Sequence, residues 1–129
     1  LPSRIASSKI LFVGLRNWER KEIIVRQKQY GIPHLAPKDV AQNSDAVKCW
    51  LKTCGASKVL IHFDMDVLDP SEIVAAVGTD PEGMKMEEVI RVINDIAVEK
   101  EIVGLTIAEP MPRTAIRIKD MLNRLPLLK

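Results

Sequence analysis

Short apolar runs that alternate with amphipathic segments constrain the fold of this chain more than any other feature of its 129 residues. A run that is apolar on both faces is typical of a strand buried between two helix layers, and apolar residues spaced three and four apart indicate a helix. The pattern predicts, in order, strand 9–15, helix 18–30, a brief strand 34–36, helix 45–54, strand 58–64, helix 85–100, strand 102–108 and helix 113–124. Strands separated by such helices connect through right-handed crossovers. We therefore predict an α/β fold, in which a parallel sheet has helices on both faces in three α/β/α layers.

The predicted helix ends carry residues suited to starting or ending a helix. Asn17 and Ser44 stand before the first two helices and are predicted N-caps. Gly31 and Gly55 follow the same helices and are predicted to end them, because glycine readily adopts a left-handed conformation. Residues 65–84 are rich in Asp, Pro and Gly and are predicted to form a long loop. With no repeat or linker along the chain, a single domain is expected.

The composition excludes several kinds of partner. Lys and Arg number 19 against 17 Asp and Glu, a net charge of +2, and no basic stripe occurs, so a nucleic acid partner is not expected. No apolar run approaches the roughly 20 residues of a membrane-spanning helix, so no membrane association is expected. The two cysteines, Cys49 and Cys54, lie on one predicted helix, where a disulfide is geometrically unfavourable. Free thiols indicate a cytoplasmic location.

Polar residues collect where the predicted strands end. The carboxyl ends of parallel strands share one edge of a sheet, and ligands of open α/β sheets bind there. The residues at these ends are Arg16 and Glu19 after the first strand, His34 at the brief strand, Asp64, Asp66 and Asp69 after the next, and Glu109 after the last. We therefore expect the functional site at this edge.

The stretch IHFDMDVLDP, residues 61–70, places three carboxylates within six positions at the end of an apolar strand. If the chain stays extended, Asp64 and Asp66 project to one side with Cα atoms roughly 6.5 Å apart. Carboxylates so placed suit hard cations such as Mg²⁺, Ca²⁺ or Mn²⁺, and a pair of metal ions can lower the pKa of a water molecule between them. The alternative is that these acids cap loops and face water, with Asp69 forming a turn with Pro70.

The motif HFDMDVLDP resembles the Ser-Phe-Asp-x-Asp-x-x-Asp-Pro signature of the ureohydrolases, the arginase and agmatinase family. Three further segments resemble family segments in the same order along the chain: ILFVGLRNWERKE, YGIPHLAPKDV and IVGLTIAEPMP. The family hydrolyses guanidino or related amidine groups with two Mn²⁺ ions per subunit. The resemblance therefore implies that residues 1–129 are the carboxyl-terminal portion of a single arginase-like α/β domain. It also implies a small guanidino or amidine substrate and assembly as a homo-oligomer.

The resemblance implies roles for individual residues. Asp64 matches the aspartate that bridges both metal ions, and Asp66 matches the aspartate that binds one of them. Glu109 matches the glutamate that faces the substrate's guanidinium and is the implied catalytic residue. Glu19 falls where arginases place an acid near the substrate's α-amino group. Asp69 matches the signature and is expected to shape the turn that aims the ligands.

The chain also departs from the family pattern. The family's other metal ligands lie in Gly-Gly-Asp-His and Asp-Ala-His-x-Asp motifs, and neither occurs in residues 1–129, which are therefore expected to be inactive alone. The only histidines are His34 and His62, for which packed or rim positions are expected. After Pro70 the chain reads SEIVAAVGTDPEGMKM instead of the family's Ala-Phe-Ala-Pro-Gly-x-Gly-Thr-Pro. The substrate therefore stays open between arginine, agmatine and a formimino compound.

Other interpretations remain open at the level of sequence. Because half of the family's ligands are absent, the chain also fits a non-catalytic arginase-like remnant or assembly module. VLIHFDMD resembles the opening of haloacid-dehalogenase-type phosphatases, although its mid-chain position and the following VLDP favour the ureohydrolases. Arg16 is better explained as a structural ion-pair partner than as a catalyst, and Glu19 could complement a helix dipole.

Overall fold

The computed structural model describes residues 3–16, 21–72, 81–109 and 115–128, so the predicted cap Asn17 and part of the predicted loop, 73–80, lie outside the described residues. Helices and strands alternate along the chain. The strands are β1 (Phe12–Val13), β2 (His34–Leu35), β3 (Lys58–Asp64) and β4 (Glu101–Ala108). The helices are α1 (Lys21–Tyr30), α2 (Pro37–Val40), α3 (Asp45–Thr53), α4 (Met86–Glu99) and α5 (Ala115–Leu122), with 3₁₀ turns at Ser7–Lys9 and Met65–Val67.

All strand pairing among the described residues is parallel. β1 pairs with β2 and β3 pairs with β4, which gives two sheets of two strands each. The predicted α/β class with parallel strands is confirmed, and β3 has its predicted range. The first strand is shorter than predicted, since only Phe12 and Val13 of residues 9–15 are assigned to it.

One β-bulge interrupts the pairing of β3 with β4. Val103 has no partner in β3, while the residues on either side of it are paired. Beyond the bulge the pairing is regular up to Asp64, which lies opposite Ala108. The two strands therefore end side by side, and Glu109 follows β4 at the edge where Asp64 ends β3.

A single hydrophobic cluster joins α3, α4, α5 and the inner face of β3. Helix α4 has the periodicity predicted for it, with apolar residues three and four positions apart facing the core. Its buried residues are Val89, Ile90, Val92, Ile93 and Ile96. Other members of the cluster are Val47 and Leu51 of α3, Phe63 of β3, and Ile118 and Met121 of α5.

The opposite face of β3 and β4 exposes apolar side chains. Successive residues of a strand point to opposite faces, so Leu60 and His62 point away from the buried Phe63. Leu60 is 66% exposed and Val103 is 53% exposed. In a complete three-layer fold this face would be covered.

Two arginines connect helices to neighbouring segments. The guanidinium of Arg91 in α4 donates hydrogen bonds to the carbonyls of Val40 and Ala41, at 3.2 Å for Ala41. Arg124 donates to both carboxylate oxygens of Glu87, at 2.6 and 2.5 Å. This pairing, mainly through its hydrogen bonds, lowers the pKa of Glu87 and raises that of Arg124.

The start of α3 differs from its prediction in one detail. Ser44 occupies the N-cap position but makes no side-chain capping bond, and Oδ1 of Asn43 instead accepts the N–H of Asp45 at 3.0 Å. Gly31 (φ 61°) and Gly55 (φ 68°) adopt the left-handed conformation predicted to end α1 and α3.

Two further observations bear on sequence expectations. Cys49 and Cys54 are free thiols in the structure. Every helix in the described segments is too short or too polar to cross a lipid bilayer.

Candidate metal centre

Three carboxylates meet at the edge where β3 and β4 end. One carboxylate oxygen from each of Asp64, Asp66 and Glu109 lies within 4.8 Å of the other two. Parallel pairing explains how residues so far apart in sequence meet, because Asp64 is the last residue of β3 and Glu109 directly follows β4. The structure thus brings together the three residues that the resemblance links to metal and guanidinium.

The proximity of Asp64 and Asp66 has a different cause from the predicted one. An extended chain was expected through both residues, but β3 ends at Asp64 and Met65–Val67 forms a 3₁₀ turn. Oδ1 of Asp64 accepts a hydrogen bond from the N–H of Asp66 at 3.0 Å. The expectation of strand alternation is therefore wrong at Asp66, and the turn capped by Asp64 brings the two side chains together.

Glu109 has an unusual backbone conformation. Its φ is 57°, in the left-handed region that costs a non-glycine residue roughly 1–2 kcal/mol. Glu82, with φ 63°, is the other non-glycine residue with positive φ among those described. Such strain persists only where the surrounding structure enforces it, and it is found often at functional sites. The Glu109 side chain is exposed, whereas Asp64 and Asp66 are half-buried.

The composition of this group determines which ion it suits. Two unit charges 4.8 Å apart repel by about 1 kcal/mol in bulk water, and a bound cation offsets that repulsion. All three side chains offer oxygen atoms, which hard cations such as Mg²⁺, Ca²⁺ and Mn²⁺ prefer. The donor set therefore fits a hard divalent cation.

Asp69 follows Asp66 by three positions in the sequence and does not belong to this group. Its Oδ1 accepts the N–H of Ser71 at 2.9 Å, and its Oδ2 accepts the N–H of Gly83 at 3.1 Å. These hydrogen bonds, above all one from the Ser71 hydroxyl, lower the pKa of the Asp69 carboxyl. Asp69 therefore shapes the turn at residues 70–72, and its aiming of the metal ligands stays a prediction.

Arg16 contacts the backbone of the carboxylate-bearing turn. Its Nη1 donates to the carbonyl of Asp66 at 2.9 Å, and its Nη2 donates to the carbonyls of Leu68 at 3.1 Å and Val67 at 3.4 Å. Sequence reasoning assigned Arg16 a structural role but missed these contacts. Hydrogen bonds to carbonyls 50 to 52 positions away produce no periodic pattern. The one available signal was an arginine at the end of a predicted strand.

Two glycines allow neighbouring backbone to approach the same turn. A Cβ atom on Gly14 would lie 2.3 Å from Cγ2 of Val67, and one on Gly83 would lie 2.2 Å from Nη2 of Arg16. Next to Gly83, the N–H of Met84 donates to the carbonyl of Val67 at 2.8 Å. Larger residues at these glycines would therefore displace the turn or its arginine.

The other predicted rim residues do not join the group. Neither His34, at the start of β2, nor His62, within β3, belongs to it. Nδ1 of His62 instead lies 2.7 Å from Oγ1 of Thr106, on the exposed face of the strand pair. Glu19 lies outside the described residues, so its position near a substrate amino group stays a prediction.

The amino-acid sequence of the chain also matches a known protein family. A sequence model of the Arginase family matches residues 2–122 of the chain. The chain belongs to the arginase family. This finding confirms the ureohydrolase resemblance seen in the sequence motifs and gives no support to the phosphatase interpretation.

Individual relatives show how much of an arginase this chain corresponds to. An arginase from Eremothecium gossypii is 26% identical over 120 residues, which cover 89% of this chain and 30% of that protein. The solved arginase from Entamoeba histolytica in complex with L-ornithine has a TM-score of 0.82 at 20% identity, covering 96% of this chain and 45% of that one. Formimidoylglutamase from Bacillus subtilis has a TM-score of 0.74 at 20% identity, covering 83% and 35%. The structural likeness shows the arginase fold, and the chain spans less than half the length of each of these relatives.

Proposed function

We propose that this arginase-family chain is part of a metal-dependent hydrolase that cleaves a carbon–nitrogen bond of a guanidino or amidine compound. The observation that carries the proposal is the group formed by Asp64, Asp66 and Glu109, whose carboxylate oxygens lie within 4.8 Å of one another. Membership of the arginase family supports the substrate class. The relatives include arginases and a formimidoylglutamase, which supports arginine and formimino compounds as substrates, and the family resemblance adds agmatine.

Asp64 and Asp66 would hold the metal. Among the described residues, Oδ1 of Asp64 accepts one backbone hydrogen bond, which leaves Oδ2 and a further lone pair on Oδ1 for a cation. Mn²⁺ is the ion that the family resemblance implies, with two ions per subunit in the intact protein, where Asp64 would contact both and Asp66 one. When bound, the metal would act as a Lewis acid that polarises the substrate and lowers the pKa of a bound water molecule.

Glu109 would bind and orient the substrate. A guanidinium is planar and positively charged, and a carboxylate accepts two parallel hydrogen bonds from it. The exposed Glu109 side chain is reachable from solvent and lies beside both aspartates. A guanidinium on Glu109 would therefore be held next to the metal ligands. We also assign Glu19, by resemblance, to the substrate's α-amino group.

Residues 1–129 alone would bind Mn²⁺ weakly and hydrolyse neither arginine nor agmatine. The carboxylate group among the described residues contains two proposed metal ligands, Asp64 and Asp66, beside the proposed substrate contact Glu109, and it contains no histidine. The family's histidine-containing motifs do not occur in this sequence. A complete centre for two metal ions would need further donors.

Assembly and location belong to the same proposal. We propose a homo-oligomer for the intact protein, as the family resemblance implies, and separately that residues 1–129 self-associate through the face that exposes Leu60 and Val103. We also propose a cytoplasmic location, which the free thiols of Cys49 and Cys54 support.

A non-catalytic arginase-like remnant or assembly module is the second candidate. The observation that favours it is that the carboxylate group among the described residues contains no histidine, which a fold used only for assembly would not need. Such a chain would bind no Mn²⁺ at this group.

Titration with Mn²⁺, followed by electron paramagnetic resonance, tests the proposal. Residues 1–129 and the control Asp120→Asn, on the exposed side of α5, should show weak binding that Asp64→Asn and Asp66→Asn remove. Absence of binding in the unsubstituted chain would favour the remnant, and two tight sites would contradict the incomplete centre.

The intact protein allows the ligand assignment to be tested separately. There, Asp64→Asn should abolish metal-dependent activity, and Asp66→Asn should remove mainly one of two metal ions per subunit. Two ions in both variants would refute the assignment.

A further inference from the structure

The carbonyls of three consecutive residues accept hydrogen bonds from one guanidinium, that of Arg16, at 2.9 to 3.4 Å. We infer that Arg16 is a positioning residue for the proposed metal centre. It fixes the turn that holds the carboxylate of Asp66 beside those of Asp64 and Glu109. The inference rests on the proposed function, because it concerns the affinity of that centre for its metal.

The shape of the arginine side chain fits this role. A guanidinium presents donors in a rigid planar fork, whereas a lysine ammonium is a compact charge without fixed directions. Nη1 donates a hydrogen bond to the carbonyl of Asp66, and Nη2 donates to the carbonyls of Val67 and Leu68. The fork therefore fixes the orientation of three successive peptide groups, which a single point charge does not.

The turn needs an external support of this kind. It is a single 3₁₀ turn, closed by a hydrogen bond of 3.2 Å from the N–H of Leu68 to the carbonyl of Met65. Such short turns have poorer hydrogen-bond geometry than an α-helix, and their last carbonyls lack partners within the turn. A cation at the carboxyl end of a helical turn is electrostatically favourable. Arg16 thus supplies donors to the carbonyls of Asp66 and Leu68, a second donor to that of Val67 beside the N–H of Met84, and a favourable charge.

The placement of Asp66 within the turn links this support to the metal. Asp66 is the middle residue of Met65–Val67, and its own carbonyl accepts the shortest of the three hydrogen bonds from Arg16. A rotation of this peptide group would move the Asp66 carboxylate relative to Asp64. Partners that orient metal ligands typically change metal affinity by about 10–100-fold when they are removed.

Gly83 provides a second way to disturb the same contact. A Cβ atom at Gly83 would lie 2.2 Å from Nη2 of Arg16 and 2.5 Å from the backbone N of Asp69. Gly83→Ala would therefore displace the guanidinium and also push on the backbone of Leu68 and Asp69, so it disturbs the contact with the turn while leaving the arginine in the sequence.

Arg91 provides a matched control. Its guanidinium also donates to backbone carbonyls, those of Val40 and Ala41, but these lie at the end of α2 rather than in the carboxylate-bearing turn. Loss of either arginine should lower the melting temperature, whereas only loss of Arg16 should affect the metal.

The experiment measures Mn²⁺ affinity of residues 1–129 by electron paramagnetic resonance, at a temperature where circular dichroism shows each variant folded. We expect Arg16→Gln, Arg16→Lys and Gly83→Ala to weaken Mn²⁺ binding by about tenfold. We expect Arg91→Gln to bind Mn²⁺ like the unsubstituted chain.

Three results would overturn the inference. Unchanged affinity in Arg16→Gln and Gly83→Ala would limit Arg16 to stability, and an equal loss in Arg91→Gln would mean that general loosening is the cause. If Arg16→Lys bound Mn²⁺ as tightly as the unsubstituted chain, the positive charge of residue 16, and not the planar fork of the guanidinium, would support the metal centre. If Arg16→Gln does not fold, Arg16→Lys and Gly83→Ala decide the question. No Mn²⁺ binding in the unsubstituted chain would instead refute the proposed function, and this inference with it.

Discussion

Replacing Asp64 by asparagine should stabilise the fold without Mn²⁺ and remove its stabilisation by Mn²⁺. An amide oxygen can still accept the N–H of Asp66, which now lies 3.0 Å from Oδ1, so the turn keeps its cap. The variant loses one negative charge beside two carboxylates that lie within 4.8 Å. The substitution therefore tests charge separately from local backbone structure.

Coulomb's law gives the size of the metal-free effect. At the upper limit of 4.8 Å, a pair of unit charges repels by about 1 kcal/mol in bulk water, and Asp64 takes part in two such pairs. Salt reduces the sum, and so does the positive charge of Arg16, whose Nη1 donates to the carbonyl of Asp66 at 2.9 Å. We expect Asp64→Asn to raise the free energy of unfolding by about 1 kcal/mol, which raises Tm by about 4 °C for a chain of this size.

Mn²⁺ should remove the difference in stability between Asp64→Asn and the unsubstituted chain. At ten times its Kd, a ligand that binds only the folded state adds about 1.4 kcal/mol to the free energy of unfolding. Loss of a direct ligand should cost at least the roughly 100-fold seen for outer partners, so the same Mn²⁺ concentration adds only about 0.1 kcal/mol to the variant.

The assay is thermal unfolding followed by circular dichroism, once with a chelator and once with Mn²⁺. Asp120→Asn, exposed on α5, serves as the control and should stay within about 0.5 kcal/mol of the unsubstituted chain. A lower metal-free Tm for Asp64→Asn would show that attractive contacts hold this carboxylate. Equal Mn²⁺ shifts in both chains would show that Asp64 is not a ligand.

Three further predictions concern other parts of the chain. In the intact protein, Glu109→Gln should keep its Mn²⁺ but lower kcat/KM by at least about tenfold, the roughly 1.4 kcal/mol of one charge-assisted hydrogen bond. Glu82→Gln, also exposed and at positive φ, is its control, and unchanged kinetics on every guanidino substrate would contradict the role. Glu87→Gln should lower stability at neutral pH, because the folded pKa of Glu87 is lowered and its carboxylate stabilises the fold only while charged. Tm measurements should show this difference shrinking as pH falls below 4.5, and a difference independent of pH would count against it. Residues 1–129 should self-associate in sedimentation experiments, less so with Leu60→Lys or Val103→Lys, and a strict monomer at high concentration would argue against this.

The longer elements could be predicted from sequence because their apolar patterns are strong. Strand β3 was predicted at 58–64 and found at Lys58–Asp64, and helix α4 was predicted at 85–100 and found at Met86–Glu99. The short elements β1 and α2 have too few residues for a pattern to mark their limits. The bounds of β1 follow from its pairing with β2, and α2 begins at a local hydrogen bond from the N–H of Ala36 to Oδ2 of Asp39.

The members of the carboxylate group could be predicted, but their local geometry could not. Parallel strands bring their carboxyl ends together, so Asp64 and Glu109 were expected at one edge. Periodicity gave no sign that the chain turns after Asp64. The local signal was Asp64 itself, a residue type suited to capping a helical turn, while the contacts from Arg16 and from the segment at Gly83 come from elsewhere in the sequence. These contacts are distant in sequence, and nothing in the neighbourhood of Asp66 specifies them.

Because of the β-bulge at Val103, β4 could lose one residue there without moving Glu109 relative to Asp64. Because Val103 has no partner in β3, its removal would leave Asp64 opposite Ala108. A residue lost between the bulge and Glu109 would instead shift the pairing by one position and turn the later side chains to the other face. Alignments of related chains should therefore place single-residue gaps at the amino-terminal end of β4, and none between Gly104 and Glu109.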